Sequence, residues 1–184
     1  MNTKRSCGVL LPLFSLPSEH GIGTMGKAAY EFIDFLAAAG QSWWQLLPVG
    51  PAGSGDSPYN SFSSFAGNAY CIDLDMLVQD GLLTKAEVSA VDWGNDAQSV
   101  AYEKLRAHRM PLLRKAARRG LEKDAAEFDS FCRDNASWLS DYALYMALKE
   151  HFGGASWTEW PEDIRLHRAE AVEKYSAELA SDVR

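Results

Sequence analysis

The sequence predicts an α/β fold, a strand, loop, helix, strand unit followed by a mainly helical stretch, and three observations predict it. Two short apolar runs, Cys7-Gly8-Val9-Leu10-Leu11 and Trp43-Trp44-Gln45-Leu46-Leu47, end at Pro12 and at Pro48-Val49-Gly50-Pro51, as buried strands end. Between them Ala29, Phe32, Ile33, Leu36 and Ala37 recur at i, i+3, i+4, i+7 and i+8, the apolar stripe of an amphipathic helix. After residue 80 the periodicity turns helical. The expected organisation is therefore a βαβ portion over 1–80 and a helical subdomain over 81–184.

The first strand runs into Phe14-Ser15-Leu16-Pro17-Ser18-Glu19-His20-Gly21-Ile22-Gly23, a loop that precedes the first helix. Gly21, Gly23 and Gly26 spell the Gly-x-Gly-x-x-Gly of a dinucleotide site, but that motif needs its glycines directly after the strand. Here roughly ten residues intervene, and no suitably placed acidic residue ends the next strand, so no cofactor is expected. Gly40 stands where a glycine would stop the helix. The second strand then opens into a long loop.

That loop, Gly55 to Asn68, combines turn formers, hydroxyls and aromatics. Pro58 fixes its own φ and pushes Ser57 toward extended geometry, while Gly55 and Gly67 permit conformations that side chains forbid. Two readings are open. Tyr59 and the surrounding hydroxyls suit a pyranose, which offers C–H faces and a rim of hydroxyls; alternatively the aromatics only anchor a serine-rich surface loop. Ligands of parallel α/β sheets sit on loops at the carboxyl ends of strands, and both loops lie there.

In the helical stretch, Thr84-Lys85-Ala86-Glu87 has the form of a capping box. Ala97 to Ala117 reads as helix with Pro111 inside, where a kink or the meeting of two helices is expected. Asp124 to Phe131 and Ser137 to His151 follow, the latter with Trp138, Tyr142 and Met146 at i, i+4 and i+8 and stopped by Gly153-Gly154. Arg168 to Val183 places Val172, Tyr175 and Leu179 on one face. Trp157 and Trp160 read better as packing groups than as sugar platforms. Asp141 reads as a carboxylate favoured by a helix N-terminus.

Taken in order, several blocks resemble one known family. Gly8-Val9-Leu10-Leu11, Ser15-Leu16-Pro17-Ser18, Gly21-Ile22-Gly23, Trp44 to Pro51 and Gly55-Asp56-Ser57-Pro58-Tyr59 are similar to the opening of the 4-alpha-glucanotransferases. These are the amylomaltases, or disproportionating enzymes, of glycoside hydrolase family 77. Ser63 to Asn68, Ile72-Asp73-Leu74, Asp141 to Lys149 and Trp157 to Arg165 continue the similarity.

The resemblance implies a (β/α)8 barrel whose first two strands are present here, followed by the family's helical insertion. It implies transfer of α-1,4-glucan segments to a 4-hydroxyl by a retaining mechanism, with two carboxyl groups about 5–5.5 Å apart. Those carboxylates lie on later strands, so no catalytic residue is expected in this chain. A barrel takes about 250 residues, and the chain has 184. Tyr59 matches the tyrosine that stacks on the donor sugar, and Ser57 matches the neighbouring serine that contacts glucan. Ser54 departs from members that carry an aromatic there. Asp56 and Asn68 are expected to brace the loop through side-chain to backbone bonds. The implied partners are maltooligosaccharides or starch-like glucans and the remaining barrel portion; the alternative is a non-catalytic glucan-binding or partner-binding remnant.

Composition excludes other classes. With 18 Lys and Arg against 25 Asp and Glu the net charge is −7, which disfavours nucleic acid and anionic membranes. No run is long enough for a membrane span, and Pro12 and Pro17 break any signal-like stretch, so a cytoplasmic location is expected. Cys7, Cys71 and Cys132 read as reduced thiols filling small apolar sites. No histidine pairs at zinc-ligand spacing. Two strands with open edges leave apolar surface uncovered, so marginal stability is expected.

Overall fold

The computed structural model of the protein describes residues 5–53, 55–94, 96 and 98–183. Strand β1 (Gly8–Leu10) pairs in parallel with β2 (Trp43–Gln45), in the register Gly8 to Trp43, Val9 to Trp44 and Leu10 to Gln45. Helix α1 (Lys27–Ala38) makes the crossover. It ends in a Schellman motif: Gly40, at φ +70°, donates to the Ala37 carbonyl and Gln41 to that of Leu36. The expected βαβ unit is therefore present, as an α/β fold with a two-stranded parallel sheet.

Two expectations about burial do not hold. Both strands are shorter than the apolar runs and stand largely in solvent, with Leu10 56% and Trp43 67% exposed. On α1 only Ala29 and Leu36 are buried, while Ile33 and Ala37 of the expected stripe are exposed. The cause is topological. A parallel strand is buried when both faces are covered, and here α1 covers part of one face through an edge-to-face contact of Phe32 with Trp44 at 5.0 Å.

The chain forms two compact units, 1–125 and 126–184. In the first unit α2 (Leu74–Gln79), α3 (Lys85–Ser89) and α4 (Tyr102–Lys123) pack with the loop that follows β1. Ile22, Leu74, Leu83, Val88, Leu105 and Leu112 form the centre of that core. Helix α4 runs unbroken through Pro111, so two helices do not meet there. An interior proline costs about 3 kcal/mol, and the burial of Leu105, Leu112, Leu113 and Ala116 along the helix offsets it.

The capping box is present in full. Thr84 Oγ1 accepts from the Glu87 amide and Glu87 from that of Thr84. The same carboxylate takes both terminal nitrogens of Arg119, at 2.9 Å, and Lys115 at 3.0 Å. Arg119, then the Thr84 amide and Lys115 hold it well below the usual carboxylate range. Because the folded pKa is depressed, this contribution is present above about pH 4.3, the unfolded value, and is lost as pH falls further. Glu87→Gln should therefore lower Tm at pH 7 by clearly more than at pH 3; equal shifts at both would count against the network.

The second unit contains α5 (Ala125–Asp134) from Ala126 onward, α6 (Leu139–His151), α7 (Glu162–Arg165), α8 (Ala169–Glu178) and α9 (Ala180–Val183). Its core joins Leu144, Ala147, Leu148, Trp160, Tyr175 and Leu179. The helix expected over 168–183 breaks at Leu179, though Tyr175 and Leu179 are buried as its stripe predicts. On α6 the buried face is that of Leu144 and Leu148, and Met146 is exposed. Trp160 packs against Tyr145 and Phe152, whereas Trp157 is 49% exposed and does not act as a core group. Asp141 sits in the first turn of α6, 3.9 Å from His167. Cys71 is buried and its thiol is pushed up to about 11 by burial; Cys7 is exposed and fills no apolar site.

Candidate functional site

The first loop starts where β1 ends. Leu11 extends the parallel pairing by donating to Gln45, and the Trp44 indole donates back to the Leu11 carbonyl at 2.8 Å. Pro12 then starts a single 3-10 turn, Leu13–Ser15, that buries Leu13; Leu16 is buried just after it. The loop closes when the Gly23 amide donates to the Phe14 carbonyl. A Cβ at Gly23 would meet the Leu16 carbonyl oxygen at 2.8 Å and its nitrogen at 2.9 Å, and one at Gly26 would strike the Asp73 carboxylate. Two glycines of the apparent dinucleotide motif thus serve close backbone approach within the loop and to Asp73.

The second loop is a closed excursion. Ala52 and Ser61 form an antiparallel bridge, Gly53 donates to Asn60, and Asn60 donates to the Ser57 carbonyl at 3.0 Å. Ser57-Pro58-Tyr59-Asn60 is therefore a β-turn with proline at its favoured second position, and Tyr59 rides at the tip, 75% exposed. Ser57 is exposed too, and its hydroxyl makes no hydrogen bond among the described residues. Ser61 and Ser63 are used internally: Ser61 donates to the Ser63 carbonyl, and Ser63 Oγ accepts from Phe65 and Ala66.

The bracing residues divide. Asn68 is buried, accepts from the Tyr70 amide at 2.9 Å and closes the loop through its own amide on Val49. Asp56 instead holds a left-handed φ of 55° and pairs with Arg106 of α4 at 2.7 Å. Gly55 does take a positive φ, +89°, but Gly67 does not, so no backbone constraint requires glycine at 67. Ser54 lies outside the described residues.

The two loops meet around a cavity of about 210 Å³, with Pro12, Leu13, Phe14 and Ser15 on one side and Asp56 and Pro58 on the other. They share a rim, as the fold class requires. Ser57 and Tyr59, the chain neighbours of Asp56 and Pro58, are not part of the cavity's lining.

Behind the rim lies a set of polar residues that sequence reasoning left unassigned. His20 is buried, with Nε2 3.0 Å from Asp75 and its ring edge-on to Trp93. Thr24 donates to Asp73, which also caps α2 by accepting from the Met76 amide. Arg109 is fully buried and donates to the carbonyls of His20, Tyr70 and Ile72. Burial pulls its pKa down to about 10, a value at which it stays charged at neutral pH. One signal was legible: Leu105, Leu112, Leu113 and Ala116 define an apolar stripe on α4, and Arg109 occupies a slot within it.

Two paired parallel strands, joined by a helical crossover and with the loops at their carboxyl ends lining one cavity, define an α/β protein. Residues 11–184 match the glycoside hydrolase family 77 model, described as 4-alpha-glucanotransferase, and the chain belongs to this family. It is 50% identical over 179 residues to a 4-alpha-glucanotransferase of Streptococcus pneumoniae serotype 4, covering 96% of this chain and 35% of that protein. To a 4-alpha-glucanotransferase of Thermus thermophilus it is 42% identical over 187 residues, covering 100% of this chain and 36% of that one. The structure matches an amylomaltase from Streptococcus agalactiae in complex with acarbose, with a TM-score of 0.92 and 39% identity, over 98% of this chain and 37% of that one. The chain thus spans about a third of the length of the relatives it matches.

Proposed function

We propose that this chain forms the opening section of a 4-alpha-glucanotransferase, in which the loops after β1 and β2 make one wall of an α-1,4-glucan site. In this reading residues 1–80 belong to a (β/α)8 barrel and 81–184 to a helical insertion. Tyr59 stacks on the sugar next to the scissile bond and the Ser57 hydroxyl bonds to it. The reaction is retaining. Its nucleophile and acid/base lie on parts of the longer relatives that this chain does not span, so this section binds and orients glucan without cleaving it.

The observation that carries the reading is the placement of Tyr59. The ring projects from a proline-fixed turn whose preceding residue is pinned to α4 by the Asp56–Arg106 pair. Fixing an aromatic face before the ligand arrives lowers the ordering cost of binding. An exposed ring contributes little to folding, so Tyr59→Ala should leave Tm unchanged within error. Stacking of about 0.5–1.5 kcal/mol predicts maltotriose binding weakened about 2- to 12-fold. Calorimetric titration of both chains measures this, and equal affinities would reject the role of Tyr59.

A further inference from the structure

We propose that Arg109 is a positioning residue that holds the two ligand-facing loops at a fixed spacing, a role that rests on reading those loops as a glucan-binding wall. Its guanidinium reaches both. One terminal nitrogen donates to the His20 carbonyl, in the first loop, at 3.3 Å. The other donates to Ile72 at 2.6 Å and Tyr70 at 3.3 Å, in the segment that leaves the second loop at Asn68. A single planar group therefore ties the end of one loop to the end of the other.

Packing alone does not account for this residue. Arg109 is fully buried at an apolar slot of α4, its Nε has no partner among the described residues, and its terminal nitrogens donate to the carbonyls of His20, Tyr70 and Ile72. An apolar side chain would fill the same slot without the cost of desolvating a charge. What arginine adds is a rigid fork that serves three carbonyls at once, a geometry lysine cannot copy. Trp93, 6.0 Å from the guanidinium carbon, covers one side of it.

The fold does not depend on this tie alone. The Met25 amide donates to Cys71, and Thr24 donates to Asp73, so the same segments stay joined without Arg109. Loss of the fork should therefore loosen the loops without unfolding the unit.

The test compares the 184-residue chain with Arg109→Lys and Arg109→Met by amide hydrogen exchange and by maltotriose titration followed on the Tyr59 ring signals. In both variants the amides of Gly23, Cys71 and Ile72 should exchange at least about tenfold faster, while those of Leu113 and Leu148 stay within about twofold. The maltotriose Kd should rise roughly tenfold. The lysine variant carries the test if the methionine variant does not fold. Uniform acceleration at all these amides overturns the proposal, since it marks a residue that only stabilises, and so does no change at Gly23, Cys71 and Ile72. If exchange localises as expected but the unaltered chain gives no maltotriose shift at Tyr59, the spacing role stands and the glucan reading falls.

Discussion

Leu74→Ala is expected to destabilise the first unit by about 3 kcal/mol, within the roughly 2–5 kcal/mol range for large-to-small changes in cores. Leu74 is 0% exposed and sits at the first position of α2, packed with Ile22, Leu83, Val88 and Leu105. Its neighbours leave little room for collapse, because the Asp73 carboxylate beside it is committed to Thr24 and to the cap of α2. The deleted methyl groups should leave a cavity in the core that also holds Ile22 of the first loop. Urea unfolding measures the loss, with Met76→Ala on the exposed side of the same helix as a control expected within about 0.5 kcal/mol. A loss below about 1 kcal/mol at Leu74 would mean that α2 is not held by this core.

Why Leu74 was not singled out from the sequence shows where pattern reading stops. Local features were legible: the proline and glycine that end the strands, the Gly40 stop, the Thr84 to Glu87 box and the Tyr175 to Leu179 face are each set by a few neighbouring residues. Tertiary choices were not. The short α2 offers too few turns for an apolar stripe to show. Pro111 argued locally for a break, and packing along α4 overrode it. Burial of the two strands was inferred from their apolar composition, yet burial depends on what covers each face, and that is not written in the strand itself.

The site divides the same way. Turn chemistry marked Ser57, Pro58 and Tyr59 as part of one loop, because proline and the Ser57 to Asn60 bond are local, whereas the exposure of Tyr59 was not legible. The partners of Asp56 and of the His20 and Ile72 carbonyls come from α4, fifty, eighty-nine and thirty-seven residues away. No spacing rule connects such positions. Only the misplaced charge in the stripe of α4 hinted that something polar waited opposite it.

Gly23→Ala and Gly67→Ala should give opposite results although both glycines belong to the loops that follow the two strands. At Gly23 a methyl group would press on the Leu13 and Leu16 backbone, which cannot swing aside as a side chain would. Overpacking of this kind costs about 1–3 kcal/mol. It should also displace Phe14 and Ser15 from the wall they share with Asp56 and Pro58, so maltotriose affinity should fall with stability. At Gly67 no atom of the described residues, its chain neighbours aside, lies within 4 Å of the added carbon, and φ is not positive. Alanine there restricts the unfolded chain and should stabilise by about 0.4–1 kcal/mol with affinity unchanged. Thermal melts and maltotriose titration of the two variants read both effects. Matching behaviour at the two positions would show that close approach to Leu13 and Leu16 is not what requires glycine at 23; divergence would assign that requirement to the backbone packing that shapes the first loop.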